Sequence, residues 1–323
     1  MILLCKSYNE TSKSYEEVID WLLYKDIEYH CWNGEQHYYQ GKSWSVALDN
    51  TNTLPQHKYN SVWFRSFLSH NTCLAPVLNK ADTTNKNLTD LRWHLGQEIV
   101  KINNQIFHQF KDAYQLPNPE AIRIDKFKVL HLAKEKGLRV PDSLVTNSKE
   151  ELKSFYNKHQ EIITKPLYEN PRFQEENYAI QFLTAKIAKG QLQELPSIFF
   201  PSFFQRYIKK DIEIRVFFVD GIYYAMAIFS QLDPQTKTDF RNYNTERPNR
   251  KVPYLLPKRI ETKLRSLMKE LDLTTGSIDL IKTPTKEYVF LEVNPIGQFG
   301  FVSKPCNYHL EHKIANTLIK YDR

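Results

Sequence analysis

Phe290-Leu-Glu-Val-Asn-Pro-Ile-Gly-Gln-Phe-Gly300 begins as a strand and ends as a glycine-containing turn. Residues 288–293 read as strand, so Glu292 and Asn294, two apart, face the same way. Asp279 lies in a second short strand, Ser277-Ile-Asp-Leu-Ile281. An antiparallel connection through Lys282–Glu287 brings the three oxygen ligands together. Two carboxylates and an amide oxygen are hard ligands that suit Mg²⁺, and Mg²⁺ commonly accompanies phosphates. The stretch therefore points to a nucleotide site.

Composition narrows the class only a little. The 323 residues can bury a large core and predict two or three domains. Lys and Arg number 44 against 37 Asp and Glu, a net charge of +7 that favours an anionic partner without choosing one. The cysteines at 5, 31, 73 and 306 fit no CxxC or zinc spacing, so buried reduced thiols in a cytoplasmic protein are expected. The run Met1-Ile-Leu-Leu-Cys-Lys is too short for a signal peptide, and no window is apolar enough to span a membrane. Neither GxGxxG nor GxxxxGK[ST] occurs, which excludes a Rossmann or P-loop phosphate cradle.

The order of elements is readable along the chain. Ile2–Cys5, Ile27–Trp32 and Ser61–Phe64 predict strands. Between the first two, Ser14-Tyr-Glu-Glu17 reads as a capping box for a helix burying Val18, Leu22 and Leu23. Helical spacing covers 88–114 until Pro117 and Pro119. Asp125 is an N-cap for a helix reaching Lys136, with Gly137 as its left-handed stop. Ser148-Lys-Glu-Glu151 is a second capping box, and Ile162–Pro166 is a strand ending in Lys165. Asp220-Gly221 between two apolar runs predicts a hairpin. Ile260, Leu264, Leu267 and Leu271 mark an amphipathic helix.

Several charged groups fit a nucleotide site. Lys126 follows the Asp125 cap and Lys165 ends its strand; a lysine is a compact point charge for phosphate oxygens. Phe203-Phe-Gln-Arg-Tyr-Ile208 is a strand entering a connector, an edge where Gln205 and Tyr207 can receive a base. Glu213 and Arg215 share one strand face, and Arg241 follows the hairpin. Singly, each of these has an ordinary reading: a surface lysine, an apolar strand, a solvated pair, a loop ion pair. His309 and His312, three apart, read as satisfied histidines rather than metal ligands.

Taken in order, these groups resemble the ATP-grasp superfamily. Ribosomal-protein glutamate ligases share the pattern. More closely, Asn294–Gly300, Ile228-Phe-Ser-Gln231 and Asp239-Phe-Arg241 are similar to the graspetide synthetases of microviridin-like and grasp-with-spasm pathways. The general pattern covers about 120–320, and Ser61-Val-Trp-Phe-Arg65 extends it into the N-terminal third. The resemblance implies an α/β (α+β) ATP-grasp fold with an N-terminal α/β domain (1–119), a central domain (120–208) and a C-terminal domain with an antiparallel sheet (209–323). It implies that Lys126 and Lys165 contact ATP phosphates. Gln205, Arg206 and Tyr207 hold the adenine and Glu213 the ribose. Asp279, Glu292 and Asn294 hold two Mg²⁺ ions, and Arg215 and Arg241 meet the γ-phosphate and an acyl phosphate. One departure stands out: Leu167–Phe173 lacks the glycine-rich flap of many relatives.

The implied activity is that of an ATP-dependent maturase, which turns Asp or Glu carboxylates of a precursor peptide into acyl phosphates and closes ω-ester or ω-amide rings. The alternative is an ATP-grasp ligase adding an amino acid to a small molecule or protein terminus. The implied partner is a precursor with a leader and an acidic, Thr-rich core. Glu169–Gln191, with Arg172 and Lys186, is the candidate leader site, and Arg65 a further peptide contact. A homodimer is implied; a membrane is not, and neither is nucleic acid, because the basic residues form no single stripe.

Overall fold

Four short apolar runs in the N-terminal third become one parallel sheet: Ile2–Cys5 (β1), Tyr29–Trp32 (β2), Ser61–Phe64 (β3) and Tyr114–Leu116 (β4), in the order β2-β1-β3-β4. The structure, a computed structural model, describes residues 1–5, 13–33, 45, 47, 58–65, 86–167, 172–174, 179–242 and 244–323. All of β1 is buried, as parallel strands covered on both sides are. The helix Lys13–Tyr24 lies against this sheet through Tyr15, Val18 and Leu22. Ser14 falls inside that helix rather than capping it, and Leu23 is exposed, because the buried stripe continues from Val18 to Leu22 only.

The second long helix, Lys86–His108, stops six residues before the expected 114. Residues 114–116 pair with β3 instead; the gain from completing a buried sheet outweighs a helical pattern that leaves Leu91 and Ile102 in solvent. Cys5 and Cys306 are buried free thiols as expected, whereas Cys31 is exposed at the sheet margin.

The next strands are Ser143–Ser148 (β5), Ile162–Thr164 (β6), Arg172–Gln174 (β7), Ala179–Gln181 (β8), Ala185–Lys186 (β9) and Ile198–Arg206 (β10). They form an antiparallel sheet ordered β5-β10-β6-β9 and a separate β7-β8 pair. The helix Lys126–Glu135 starts where its sequence says: Asp125 Oδ1 accepts from the N–H groups of Phe127 (2.8 Å) and Lys128 (3.1 Å). Gly137 at φ +78° terminates it. Ser148 Oγ accepts from Glu151 N at 3.4 Å at the head of the helix Lys149–His159.

A third sheet, antiparallel throughout, is built from Ile212–Val219 (β11), Ile222–Ile228 (β12), Lys251–Tyr254 (β13), Thr275–Lys282 (β14) and Tyr288–Asn294 (β15), ordered β13-β12-β11-β14-β15. Asp220 (φ +46°) and Gly221 (φ +81°) make its two-residue turn. One face, including Ile214, Val216, Leu280 and Phe290, packs on the helices Lys126–Glu135 and Lys258–Glu270. The other, through Phe217 and Met226, packs on the helices Gly300–Cys306 and Leu310–Tyr321 and on the parallel sheet.

The register of β14 with β15 fixes what faces where. Leu280 opposes Phe290, yet Asp279 opposes Glu292, so Leu291 is an extra residue in a bulge. With strict alternation Glu292 would share the core face of Phe290. The bulge turns it to the face of Asp279, and Asn294 opposite Ser277 follows it. The chain then doubles back, Gly297 N donating to Asn294 O at 3.1 Å. A Cβ on Gly297 would collide with the Ser277 side chain and lie 2.8 Å from its backbone nitrogen.

Gly297→Ala should therefore lower unfolding stability by about 1–3 kcal/mol through overpacking. Ser277→Gly in the same chain should restore only part of the loss, because the backbone contact remains. Urea unfolding of the single and double variants measures this; wild-type stability in Gly297→Ala would show that the turn has room to spare.

Candidate functional site

Between the second and third sheets lies a cavity whose walls include Lys165, Tyr207, Glu213, Arg241, Asp279 and Glu292. The chain crosses from β10 to β11 at one end of it. There Arg206 N donates to Asp142 O and Tyr207 N to Glu161 O, both at 2.9 Å, which ties the connector to the second sheet. Gln205 is buried, and its Nε2 donates to Ser143 Oγ at 3.0 Å, bracing the connector.

Charge concentrates at the other end. Arg215 opposes Asp279 across β11 and β14, and its Nη1 donates to both carboxylate oxygens, at 2.9 and 2.7 Å. Glu292 has Lys165 Nζ at 3.6 Å and Arg241 Nη1 at 3.8 Å. Burial alone would raise Glu292, but Lys165, Arg241, Lys126 and Arg215 together hold it below the ordinary carboxylate range. Asp279 is displaced upward, by burial first and by the like charge of Glu292, against the pull of Arg215. Two facing carboxylates amid four cations make a pocket ready for a polyanion and its metal. Asn294 is exposed, and its Oδ1 accepts from Ile296 N at 3.1 Å.

The fit to Mg²⁺ follows from this donor set. Asp279 and Glu292 are cross-strand neighbours on the cavity face with Asn294 two residues on, all hard oxygen donors. A metal held there would share Asp279 with Arg215. Among the described residues no group of three His, Cys, Asp or Glu forms a separate metal cluster. His312 packs its ring 4.3 Å from that of Trp21 and pairs with Asn316, an ordinary satisfied histidine.

Three residues of the site were given no role by the sequence reading, although Ser230 and Asp239 lie within its quoted motifs 228–231 and 239–241. Lys210 is buried, with its Nζ 2.9 Å from Glu213 Oε1 and donating to Thr238 O at 2.9 Å. Ser230 Oγ donates to the same Glu213 oxygen at 2.6 Å. Burial pushes the Glu213 carboxyl up, and Lys210 and Ser230 only partly offset it. Asp239 accepts from Arg241 N (3.0 Å), Nε (2.9 Å) and Nη2 (2.7 Å), locking the guanidinium beside Glu292. Lys210 was legible only as the three-residue spacing to Glu213, within a charged run that looks like surface.

The candidate peptide contacts lie apart. Arg65 is buried, its Nη1 donating to Gly297 O at 3.4 Å. Lys186 pairs with Glu161 at 2.9 Å and sits 3.5 Å above the Tyr207 ring, at the outer edge of the connector. Arg172 is in β7, and its side chain is outside the described residues, as are 168–171 of the Leu167–Phe173 segment and 175–178.

No family model and no curated protein matches the chain. Solved structures do. A RiPP-associated ATP-grasp ligase of Chryseobacterium gregarium, in complex with ADP and a leader and core peptide, is 25% identical; the match covers 100% of this chain and 98% of that one, at a TM-score of 0.81. Macrocyclase MdnC of Microcystis aeruginosa, bound with precursor peptide MdnA, is 23% identical over 99% and 100% of the two chains, at 0.77. ATP-grasp ligase PsnB, complexed with minimal precursor, Mg and ADP, is 17% identical over 100% and 97%, at 0.78. The fold is that of the ATP-grasp ligases, and the likeness supports an ATP-dependent ligase. Within that class it is similar to the RiPP-associated ligases, the group that the Asn294–Gly300 motif resembles. No helix among the described residues is long and apolar enough to cross a membrane.

The Asp239–Arg241 lock is testable by pH. Burial would raise Asp239, but the hydrogen bonds and charge of Arg241 hold it below its ordinary 3.8. A carboxyl depressed on folding stabilises fully above 3.8 and loses that contribution as pH falls through its folded value. Asp239→Asn should cost about 1.5–3 kcal/mol at neutral pH, the size of hydrogen bonds to a charged group. Urea unfolding across the acid range should show the gap to wild type closing only below pH 3.8. A gap that stays constant into that range would deny the lock its ionic character.

Proposed function

We propose that this ATP-grasp ligase is a peptide maturase that closes side-chain rings in a ribosomal precursor. The observation that carries the reading is the convergence of Lys126, Lys165, Arg215 and Arg241 on Glu292, beside Asp279, at one end of a cavity whose other end is the 206–208 connector. Support also comes from the likeness to the Chryseobacterium ligase, solved with ADP, leader and core peptide.

The reaction has two steps. An Asp or Glu carboxylate of the precursor attacks the γ-phosphorus of ATP, releasing ADP and forming an acyl phosphate. A Ser or Thr hydroxyl then attacks the acyl carbon, giving an ω-ester, or a Lys amine gives an ω-amide; phosphate leaves and the attacking group loses its proton. Each ring removes one water overall. No nucleophilic side chain of the enzyme is required, so its work is positioning and electrostatics.

The residues divide that work. Lys126 and Lys165 hold phosphate oxygens. The 205–207 segment receives the adenine, with Gln205 bracing it from behind, and Glu213 takes the ribose. Arg215 and Arg241 face the transferring phosphoryl group and then the acyl phosphate. Arg241 is already fixed by Asp239, so little reorganisation is needed when charge develops. Asp279, Glu292 and Asn294 would hold two Mg²⁺ ions, which supply charge neutralisation on the phosphate oxygens. The leader docks around Arg172 and Lys186, the core is acidic and Thr-rich, and the family resemblance implies a homodimer.

Glu292→Ala/Asn294→Ala should abolish ATP cleavage while the chain still unfolds cooperatively. In wild type, mass spectrometry of a Thr- and Glu-containing precursor incubated with ATP and Mg²⁺ should show successive losses of one water. A gain of one residue mass would replace the maturase with an amino-acid ligase. Crosslinking that persists in the double variant would refute the site assignment.

A further inference from the structure

Behind the connector, on the side away from the nucleotide cavity, lies a larger cleft of about 1210 Å³. Its walls come from the helices Lys126–Glu135 and Lys149–His159, the connector, and the β14–β15 turn. This volume exceeds the roughly 300–1,000 Å³ usual for small-molecule pockets, which suits an extended chain rather than a small anion.

The charges of the cleft are unequal. Each of its three carboxylates already has a cation: Glu287 pairs with Arg139 at 2.7 Å, Asp142 with Lys158 at 4.0 Å, and Glu161 with Lys186 at 2.9 Å. Lys134, Arg206 and Lys209 also line the walls and form no ion pair with a described carboxylate. His159 adds one more polar group to the wall, within ion-pair reach of Asp142 but without a hydrogen bond. Its side chain is 5% exposed, and its Nε2 stands 3.4 Å from Asp142 Oδ2. A buried polar atom left in this state is costly unless something completes it.

We infer that this rear cleft is a second binding site, one that holds an acidic peptide segment between Lys134 and Lys209. The inference rests on the peptide-maturase reading for the source of the segment: acidic stretches of the precursor that are not in the nucleotide cavity. Carboxylates of such a segment meet Lys134, Arg206 and Lys209, with His159 at the floor. Arg206, Tyr207 and Ile208 line both cavities, so the segment touches the residues that frame the nucleotide. Occupancy of either cavity then alters affinity at the other by the same factor.

Fluorescence anisotropy of a fluorescein-labelled hexaglutamate peptide tests this on the full chain with Mg²⁺ and saturating ADP filling the front cavity. Saturable, salt-sensitive binding is expected. Lys134→Glu/Lys209→Glu should weaken it by at least about tenfold through like-charge repulsion. Lys134→Ala/Lys209→Ala should weaken it less, and covers the case in which the reversal variant fails to fold. Lys111→Glu/Lys313→Glu, an equal charge change elsewhere, should leave it unchanged. Absence of binding to wild type, an equal loss in that control, or tighter binding of a labelled oligothymidylate would overturn the inference. ATP cleavage assayed on the same proteins reports on the maturase reading separately, since an inactive wild type that still binds peptide refutes only that reading.

Discussion

Opposition of Asp279 to Glu292 across two neighbouring strands is the constraint from which the site follows. Two carboxylates held on one sheet face, away from bulk water, repel each other and are poorly solvated. The fold tolerates them because cations arrive from elements far apart in sequence. Arg215 comes from the adjacent strand, Arg241 from the loop after the hairpin, Lys165 from the end of β6, and Lys126 from a helix start. Each element must be in place for the others to be electrostatically acceptable, so the cavity and the packing of the second and third sheets specify one another. Buried ion pairs are weak sources of net stability, because desolvation consumes much of the Coulombic gain. Their concentration here is therefore better explained by ligand chemistry than by folding.

Much of the scaffold was legible because its signals are local. Asp125 and Gly137 delimit a helix through groups within a few residues of its ends, and Asp220-Gly221 fixes a hairpin through its own dihedral angles. The order of Lys165, Arg215, Arg241, Asp279 and Glu292 along the chain was readable too; four of them line one cavity, and Arg215 is bonded to Asp279 there. What escaped depends on distant partners. The helix ending at His108 was overrun in the sequence because nothing local announces that β3 will recruit residues 114–116. Lys210 looks solvated in a run of charges; it is buried because Glu213, three residues on, and Thr238, from a distant segment, both reach it.

The bulge at Leu291 separates side chains that strict alternation would put on one face. Period-two alternation places Glu292 and Asn294 together, and they are together. The same alternation places Phe290 with them, but Phe290 is fully buried in the opposite core. Only an extra residue lets one strand bury Phe290 on one side and present Glu292 on the other. Bulges occur beside active sites for this reason: they re-aim a side chain without changing its neighbours in sequence.

The connector imposes a further consequence on how the two halves can move. Because Arg206 and Tyr207 donate to Asp142 and Glu161, the connector's first residues are bound to the second sheet and travel with it. Asp211 N donates to Lys282 O at 2.8 Å, which ties its last residues to the third sheet. Between these two ties the backbone consists of Ile208, Lys209 and Lys210. Lys210 is the anchored member of the three, held by Glu213 and Thr238 on the wall of the cavity between the sheets, whereas Lys209 lines the larger cleft. The two cavities therefore share one short segment, Arg206 to Ile208, which lies between a tie to the second sheet and a tie to the third.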